Sequence, residues 1–346
     1  MLTNKERKMA IKMLIFDFRD SEKKFFENNK FEDFDITFFK ESLNEESVKN
    51  LTDEQLEQTA IISVFIDSEI TEFVINQFKN LRIISTRSTG IDHINHKICV
   101  DKNIDVINVS NYGEKSVAQY TIGLIIALVR KIIPASSWVF NKDTAIDFTG
   151  HDISAMTIGV VGTGAIGASV CKLAKSIGMR VLAYDVIQKQ ELKEYAEYVD
   201  FDNIIREADV LTLHLPYTGD NKNMIAVSEF SKMKKHAYLI NTSRGEIVDI
   251  FALYDALISG EIAGCGLDVL PCETFCFKCK NLESNLDSTM YCMKEAETVE
   301  KLAQLPNVII TPHIAYETQE AIDYLLEMTF RGIQDCIQGG SMFKNL

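Results

Sequence analysis

Short runs of β-branched and aromatic residues alternate along the chain with stretches in which apolar residues recur at helical spacing. This alternation is typical of parallel strands joined by crossover helices, so the sequence predicts an α/β protein. In the first third of the chain we predict a small open sheet with strands at 13–18, 34–39, 60–66, 81–86 and 105–109. The pattern then repeats and predicts a second, larger sheet with strands at 157–161, 180–184, 210–215, 237–241, 264–269 and 308–311.

Two further stretches predict helices at the junctions of these blocks. Residues 114–133 contain no proline and no strand pattern, and they are long enough for one helix that bridges two domains. We therefore expect a domain boundary near residue 112. Residues 318–338 predict one more helix, which we expect to complete the first domain.

Composition and charge narrow the class of protein. The 346 residues suffice for about two domains with separate cores, and 46% hydrophobic with 25% charged residues excludes a disordered or fibrous chain. The net charge of −14 makes the average surface repel phosphate backbones and anionic headgroups. Nucleic acid is therefore not an expected partner.

The chain shows no pattern typical of a membrane or secreted protein. Its most apolar uncharged stretch, 120–129, is about half of the ~20 residues that a membrane helix needs, and the charged N-terminus does not resemble a signal-peptide core. Eight cysteines are too few for a disulfide framework and favour a reducing compartment. We expect a cytoplasmic protein with no membrane partner.

A glycine-rich turn follows the first strand of the second block. Gly162, Gly164 and Gly167 stand between a β-branched strand and an apolar-periodic helix. In such a turn the first glycine permits the bend, the second lets the backbone reach a pyrophosphate, and the third lets the helix pack on the strand. The next strand ends in Asp185, whose carboxylate can bind an adenosine ribose and would repel a 2′-phosphate. The spacing predicts an NAD site here, whereas the turn after the first strand of the chain has no glycine and predicts none.

Polar residues close several strands of the second block. Arg244 follows the strand at 237–241, Glu273 follows the strand at 264–269, and His313 follows the last strand. Ligands of open α/β sheets bind beyond the carboxyl ends of the strands, so we expect these three side chains to converge. Histidine supplies a proton near neutral pH, a neighbouring carboxylate favours the charged ring, and arginine grips a carboxylate bidentately. Reduction of a 2-oxo acid requires these groups.

Six motifs spread over essentially the whole chain carry a family resemblance. They are TRSTGIDHI at 86–94, VGTGAIG at 161–167, HLP at 214–216, NTSRGEIVD at 241–249, GLDVLPCE at 266–273 and NVIITPHIAY at 307–316. With them the chain resembles the D-isomer-specific 2-hydroxyacid dehydrogenases, most closely their D-lactate dehydrogenase branch. The resemblance implies NAD-dependent reduction of a small 2-oxo acid to the D-2-hydroxy acid by a homodimer.

The same resemblance implies two doubly wound parallel-sheet domains. A smaller flavodoxin-like substrate domain would comprise 1–112 and 318–346. A Rossmann NAD-binding domain would comprise 113–317, with a cysteine-containing insertion at about 272–301.

Roles for individual residues are also implied by the resemblance. Arg244 would bind the substrate carboxylate and carbonyl, His313 would donate the proton, and Glu273 would orient and charge His313. Cofactor contacts are implied for Gly162, Gly164, Ala165, Ile166, Gly167, Asp185, Leu215, Pro216, Asn221, Thr242, Ser243 and Asp268. Substrate contacts are implied for Thr89, Gly90, Tyr112 and Tyr316, and the two tyrosines favour a small or apolar substrate side chain.

Some positions depart from the family pattern. Ser110, Gln119, Tyr120 and Glu317 stand where the family often has other residues, which affects the pocket walls and the bridging helix rather than the chemistry. The glutamate at 273 argues against the formate dehydrogenase branch, where glutamine is expected.

Two other classes of protein share the glycine turn. An NAD-sensing regulatory or corepressor protein would be expected to lose the arginine, glutamate and histidine, and all three are present. A methyltransferase would leave Asp185, Arg244 and His313 without a function.

Two groups of residues raise the question of a metal. His93 and His96 stand only three residues apart, but a pair of histidines alone is weak evidence for a metal, so we predict no metal there. Four cysteines at 272, 276, 279 and 292 could hold zinc or an iron–sulfur cluster, but reduced thiols in a loop are the favoured interpretation. We predict no metal, with the cysteine cluster as the open alternative.

Overall fold

The computed structural model describes residues 10–110, 112–141, 147–273, 276 and 286–340. Within these ranges the chain divides into two compact units. The first unit runs to Tyr112 and resumes at Glu317, and the second spans Gly113–Tyr316. Each unit is built on a parallel sheet, as the alternation of strand and helix patterns predicted.

Five parallel strands form the sheet of the first unit, in the order β2–β1–β3–β4–β5. This order is the flavodoxin-like form of the doubly wound fold. The strands are β1 (Ile11–Ile15), β2 (Phe34–Phe38), β3 (Ile61–Val64), β4 (Ile83–Thr86) and β5 (Asp105–Ile107). The helices before the boundary are α1 (Lys23–Asn28), α2 (Asp53–Gln58), α3 (Glu72–Gln77) and α4 (His96–Asp101).

Seven parallel strands form the sheet of the second unit, in the order β12–β11–β10–β9–β6–β7–β8. They are β6 (Thr157–Val161), β7 (Arg180–Tyr184), β8 (Glu197–Tyr198), β9 (Val210–Leu213), β10 (Tyr238–Asn241), β11 (Gly264–Leu267) and β12 (Val308–Ile310). The helices are α5 (Glu114–Val129), α6 (Ile132–Asn141), α7 (Ala165–Ser176), α8 (Phe201–Glu207), α9 (Val227–Phe230), α10 (Ile250–Ser259) and α11 (Leu286–Leu302). The strand order reverses between β6 and β9, which is where such sheets bind their ligands.

The central strands of the second sheet are buried along their whole length. Every residue of β9 and β10 is buried, because the residues on both faces of the sheet pack into apolar clusters. A sheet covered on both faces needs apolar side chains in continuous runs rather than in alternation. The runs VLTL and YLIN in these strands are mostly apolar, with Thr212 and Asn241 as buried polar members, and further polar residues follow where the strands end.

The last helix, α12 (Gln319–Ile337), belongs to the first unit. Thr318 caps it, since its Oγ1 accepts a hydrogen bond of 3.2 Å from the backbone N–H of Ala321. Phe330 and Ile333 pack into the same apolar cluster as Met13 of β1. The predicted helix at 318–338 is confirmed.

The predicted single helix at 114–133 was wrong in one respect. It is two helices: α5 ends at Val129, and α6 begins at Ile132 after a 60° bend. Lys131 lies between them with a φ of 52°, and a residue in this left-handed region ends a helix. Among the described residues no single helix is long and apolar enough to cross a membrane, and α5 and α6 meet that criterion only when taken together.

Candidate active site

The turn between β6 and α7 has the shape that its glycines predicted. Gly162 has a φ of 91°, and a Cβ there would lie 2.5 Å from the carbonyl oxygen of His214, so only glycine fits. Gly164 caps α7, and a Cβ there would meet no atom within 4 Å, which leaves space beside the helix N-terminus. Ala165, Ile166 and Gly167 form the first turn of α7. Free space beside the backbone N–H groups of a helix N-terminus suits a pyrophosphate.

Asp185 follows β7 and is bonded to the glycine turn. Its Oδ2 accepts hydrogen bonds from the backbone N–H of Thr163 at 2.5 Å and from the Thr163 hydroxyl at 2.9 Å. Its Oδ1 accepts one from the backbone N–H of Ile187 at 2.9 Å. Burial acts to raise the pKa of Asp185, but the backbone donors outweigh it and hold that pKa below its usual value. The carboxylate is therefore ionised beside the turn, where it can accept from a ribose.

The segment after β9 carries three of the predicted cofactor contacts. Leu215 and Pro216 follow His214, and Asn221 closes the loop by donating from Nδ2 to the Pro216 carbonyl at 2.7 Å. The Asn221 Oδ1 accepts from the backbone N–H of Thr218 at 3.1 Å. These two bonds hold the loop at the carboxyl edge of the sheet.

His214 itself is a neutral residue. Its Nδ1 lies buried without a hydrogen-bond partner among the described residues, and its Nε2 lies 3.0 Å from Thr212 Oγ1. Burial lowers its pKa from 6.5 to about 3. This histidine is therefore no proton donor at neutral pH.

Arg244 stands after β10 on a turn shaped by Asn241. The Asn241 Oδ1 accepts from the backbone N–H and hydroxyl of Ser243 at 3.0 and 2.8 Å, and its Nδ2 donates to the Arg244 carbonyl at 2.8 Å. Thr242, also in this turn, lies with its Oγ1 3.0 Å from that of Thr121. Sequence reasoning missed Asn241, although it ends a strand directly before three predicted site residues.

The next residue, Gly245, places this turn against the segment that leads to Glu273. A Cβ on Gly245 would overlap the backbone of Leu270 and Pro271. The two strand-end segments therefore approach one another more closely than any residue with a side chain allows. The half-buried Arg244 and Glu273 stand on these two adjoining segments.

Glu273 and His313 are in direct contact. The Glu273 Oε2 lies 2.8 Å from the His313 Nδ1, and the Glu273 Oε1 accepts from the backbone N–H of Leu270 at 3.1 Å. The two side chains are 29% and 27% exposed, so the pair is reachable by a ligand. The predicted contact between these residues is present.

Asp268 holds the loop that carries His313. Its carboxylate accepts from the Thr311 hydroxyl at 2.6 Å and from the backbone N–H groups of Ile314 and Ala315 at 3.0 and 2.9 Å. Its carbonyl accepts from the backbone N–H of His313 at 2.9 Å. His313 has a φ of 55°, which is uncommon for a residue other than glycine, and these bonds hold the loop in that conformation. The family resemblance implied a cofactor contact for Asp268. It did not indicate that Asp268 also holds the loop of His313 in position.

The predicted substrate residues lie in both units. Thr89 and Gly90 follow β4 in the first unit, where their carbonyls accept from Asn108 Nδ2 at 2.6 Å and Ser88 Oγ at 2.7 Å. Tyr112 ends the first stretch of that unit, whereas Tyr316 ends the second unit and is 8% exposed. The contact between Glu273 and His313 belongs to the second unit alone.

The expectation of reduced thiols was wrong for one pair of cysteines. Cys272 and Cys292 form a disulfide, with their Cα atoms 5.6 Å apart, within the usual range for such a bond. The Cys276 Sγ donates to the carbonyl of Pro271 at 3.4 Å. Cys279 lies outside the described residues. Cysteine count and spacing alone could not identify the pair, because pairing depends on where α11 packs.

Comparison with known proteins decides the family. The model of the D-isomer specific 2-hydroxyacid dehydrogenase NAD binding domain matches residues 122–315, which is more than half of the chain. The chain belongs to the D-isomer-specific 2-hydroxyacid dehydrogenases. It is thus an NAD-dependent oxidoreductase, and its two parallel-sheet units are those of this dehydrogenase fold.

Relatives of this dehydrogenase carry several substrate names. An aromatic 2-oxoacid reductase of Clostridium sporogenes is 35% identical over 257 residues, which are 74% of this chain and 75% of the relative. A D-specific alpha-keto acid dehydrogenase of Enterococcus faecium is 37% identical over 277 residues, 79% and 82% of the two chains. The crystal structure of D-lactate dehydrogenase from Aquifex aeolicus, complexed with NAD and lactic acid, superposes with a TM-score of 0.79 at 32% identity, covering 94% of this chain and 96% of that one.

Proposed function

We propose that this dehydrogenase reduces a small 2-oxo acid such as pyruvate to the D-2-hydroxy acid, with His313 as the proton donor. The observation that carries the proposal is the 2.8 Å contact between His313 Nδ1 and Glu273 Oε2. This half-exposed pair follows β11 and β12, at the sheet edge where the Gly162 turn follows β6.

The pair is suited to give a proton to the substrate. The contact engages Nδ1, so Nε2 is the ring atom that exchanges a proton with a ligand. The Glu273 carboxylate stabilises the positive charge of the ring before transfer. A nicotinamide ring, when bound, supplies the hydride that reaches C2 of the acid. The oxygen on C2 then gains negative charge and takes the proton from Nε2 of His313.

Arg244 would hold the acid in place for this transfer. A guanidinium binds a carboxylate through two parallel hydrogen bonds, and its fixed positive charge also favours negative charge that develops on the neighbouring oxygen. The bonds of Asn241 and the close approach at Gly245 fix the chain on both sides of Arg244. Because this positioning precedes binding, little ordering is required when the substrate arrives.

The remaining assignments follow from position along the same sheet edge. The N-terminus of α7 at Gly164, Ala165 and Ile166 would hold the pyrophosphate, with Gly162 and Gly167 shaping the turn, and Asp185 would bind the ribose. Further cofactor contacts are proposed for Leu215, Pro216, Asn221, Thr242, Ser243 and Asp268. Thr89, Gly90, Tyr112 and Tyr316 would contact the substrate, so the first unit is the proposed substrate domain.

Turnover with a graded set of 2-oxo acids tests the proposal. The purified enzyme is mixed with NADH and each acid, from pyruvate to phenylpyruvate, and the loss of NADH absorbance gives kcat/KM. We expect the highest kcat/KM with pyruvate, a product that is the D enantiomer by chiral chromatography, and poorer turnover with NADPH because Asp185 repels its 2′-phosphate. Failure to oxidise NADH with any acid, or an L product, would refute the proposal.

A cytoplasmic homodimer remains part of the proposal. The dimer rests on the family resemblance, and the cytoplasmic location rests on the sparse cysteines. Light scattering on the purified enzyme measures the mass directly, and a value near 39.1 kDa, the mass of one chain, would contradict a dimer.

A further inference from the structure

We propose that Cys272, Cys292 and Glu295 form a zinc site in the reduced enzyme. The two sulfur atoms and a carboxylate oxygen of Glu295 lie within 4.8 Å of one another. A single metal ion could contact all three atoms at ordinary bond lengths. The site is separate from the proposed chemistry, and the inference does not rest on the proposed function.

Glu295 is the residue that points to a cation. It is 6% exposed, and its Oε2 has no hydrogen-bond partner among the described residues. The Tyr291 hydroxyl and the Lys222 ammonium are favourable neighbours of the Glu295 carboxylate, and the carboxylates of Glu246 and Asp249 are unfavourable ones. A buried carboxylate oxygen without a donor costs free energy, so it needs a compensating group. The disulfide beside Oε2 supplies neither a hydrogen-bond donor nor a charge, whereas a divalent cation would bind this oxygen directly.

The ligands come from two segments that the fold brings together. Cys292 and Glu295 are three residues apart on α11 and therefore share one face of the helix. Cys272 comes from the segment after β11, where its φ is 49°. The backbone N–H of Cys276 donates to the Cys272 carbonyl at 3.2 Å, so a single helical turn follows Cys272.

The donor set selects the metal. Thiolates favour zinc over magnesium and calcium, and zinc accepts a carboxylate together with sulfur in a tetrahedral site. Zinc has no redox chemistry of its own, so the metal would keep its charge while the sulfur atoms change between thiol and disulfide. It would fix the chain at Cys272, the residue directly before Glu273.

The disulfide is the oxidised, metal-free form of the same site. A dithiol reductant gives two electrons and two protons to the Cys272–Cys292 bond, which yields two thiols, and the reductant becomes a disulfide. Zinc then displaces the two thiol protons and bonds to both sulfur atoms. The protein in a reducing compartment would therefore hold the metal, and the oxidised protein would release it.

Zinc titration of the reduced full-length enzyme tests the proposal. The enzyme is treated with a dithiol, freed of it under nitrogen, and titrated with zinc against a chromophoric chelator. We expect one equivalent to bind, and we expect cobalt(II) in place of zinc to give intense thiolate-to-metal charge-transfer absorption. Cys292→Ser and Glu295→Gln should each weaken zinc binding by at least about tenfold. Loss of a residue that only supports a metal ligand already costs about tenfold in affinity, and these two residues are ligands themselves.

Cys336→Ser is the matched control. The Cys336 thiol donates to Asp105 at 3.0 Å in the first unit, and a serine hydroxyl can make the same bond, so this variant should still bind one equivalent. Three results would overturn the proposal: no zinc bound by the reduced enzyme, equal affinity in Glu295→Gln and wild type, or equal affinity in the oxidised and reduced enzyme. Thermal unfolding provides a readout independent of activity, because zinc should raise the Tm of the reduced wild type but not of Cys292→Ser.

Discussion

Each unit places an acid–base pair after the strands of its sheet, and the two pairs differ in exposure. In the first unit, Arg87 Nε lies 3.0 Å from Glu22 Oε1, and the two side chains are 1% and 7% exposed. In the second unit, His313 and Glu273 are separated by 2.8 Å and are 27% and 29% exposed. Pairs of nearly equal length thus differ in whether a ligand can reach them.

The surroundings of the Arg87–Glu22 pair explain its burial. Arg87 also donates to Ser63 Oγ at 3.0 Å and to the carbonyls of Phe16 and Asp17 at 2.7 and 3.2 Å. Glu22 comes from the segment after β1, which has no glycine and so differs from the glycine turn after β6 in the second unit. Because Arg87 is fully hydrogen-bonded and buried, the Arg87–Glu22 pair stabilises the fold. Partial exposure leaves the second pair available for chemistry.

His313→Gln should have the largest effect on activity. The variant cannot deliver a proton from a charged ring, so we expect kcat to fall by at least about a hundredfold, within the 10²–10⁴ that general acid catalysis contributes. The free energy of unfolding should change by no more than about 1 kcal/mol, because the side chain is 27% exposed. Steady-state kinetics with NADH and pyruvate, together with urea unfolding, measure both.

Glu273→Gln is the matched variant for this comparison. The amide oxygen still accepts from Nδ1 but carries no charge. The kcat of this variant should therefore lie between the kcat of wild type and that of His313→Gln. Near-normal turnover by His313→Gln would remove His313 from the mechanism and end the contrast between the two pairs.

Arg87→Met should show the opposite pattern. Removing the guanidinium leaves the Glu22 carboxylate buried without its charge partner, which costs about 3–5 kcal/mol of unfolding free energy. Arg82→Met changes an exposed arginine of the same unit and should stay within about 0.5 kcal/mol of wild type. Urea unfolding of the three proteins tests this. A loss below about 1 kcal/mol in Arg87→Met would show that burial does not make this pair structural.

Much of the second unit could be predicted because its signals are local or follow from strand direction. The glycine turn and Asp185 belong to one contiguous strand–helix–strand segment. The strand-end residues could be grouped because parallel strands share a carboxyl edge. Each predicted strand overlaps an observed one, and within the described parts of the chain only the two-residue β8 was missed, because it is too short to show a pattern.

The features that sequence could not supply depend on contacts between distant segments. Asp268 bonds to donors 43 to 47 residues away, and no local pattern indicates which loop a buried carboxylate will hold. The Arg87–Glu22 pair joins residues 65 apart, and the motif around Arg87 gave no sign of burial. Such pairings follow from packing, which a single sequence does not specify.

Arg244→Lys should have a smaller effect than loss of His313. An ammonium keeps the charge but cannot form two parallel bonds to a carboxylate, and one charge-assisted bond is worth about 1.5–3 kcal/mol. We expect kcat/KM to fall about tenfold to a hundredfold, mainly through a higher KM. Arg206→Lys changes an arginine whose side chain is 54% exposed and should leave both constants unchanged. Equal kinetics in Arg244→Lys and Arg206→Lys would show that Arg244 does not bind the acid.

The smallest expected effect concerns His214. This histidine is buried, whereas His313 of the same unit is partly exposed. Because the pKa of His214 falls from 6.5 to about 3 on folding, the unfolded chain binds a proton in that range and the folded enzyme does not. The free energy of unfolding should therefore fall as the pH drops from 6.5 towards 3, by about 1.4 kcal/mol per pH unit from this residue alone.

His214→Asn removes this titration, so urea unfolding at about pH 6 and about pH 5 should show a drop about 1 kcal/mol smaller in the variant than in wild type. His151→Asn changes an exposed histidine and should keep the wild-type slope. Parallel pH dependences in wild type and His214→Asn would mean that His214 is protonated in the folded enzyme. In that case burial would not explain why His313 donates a proton and His214 does not.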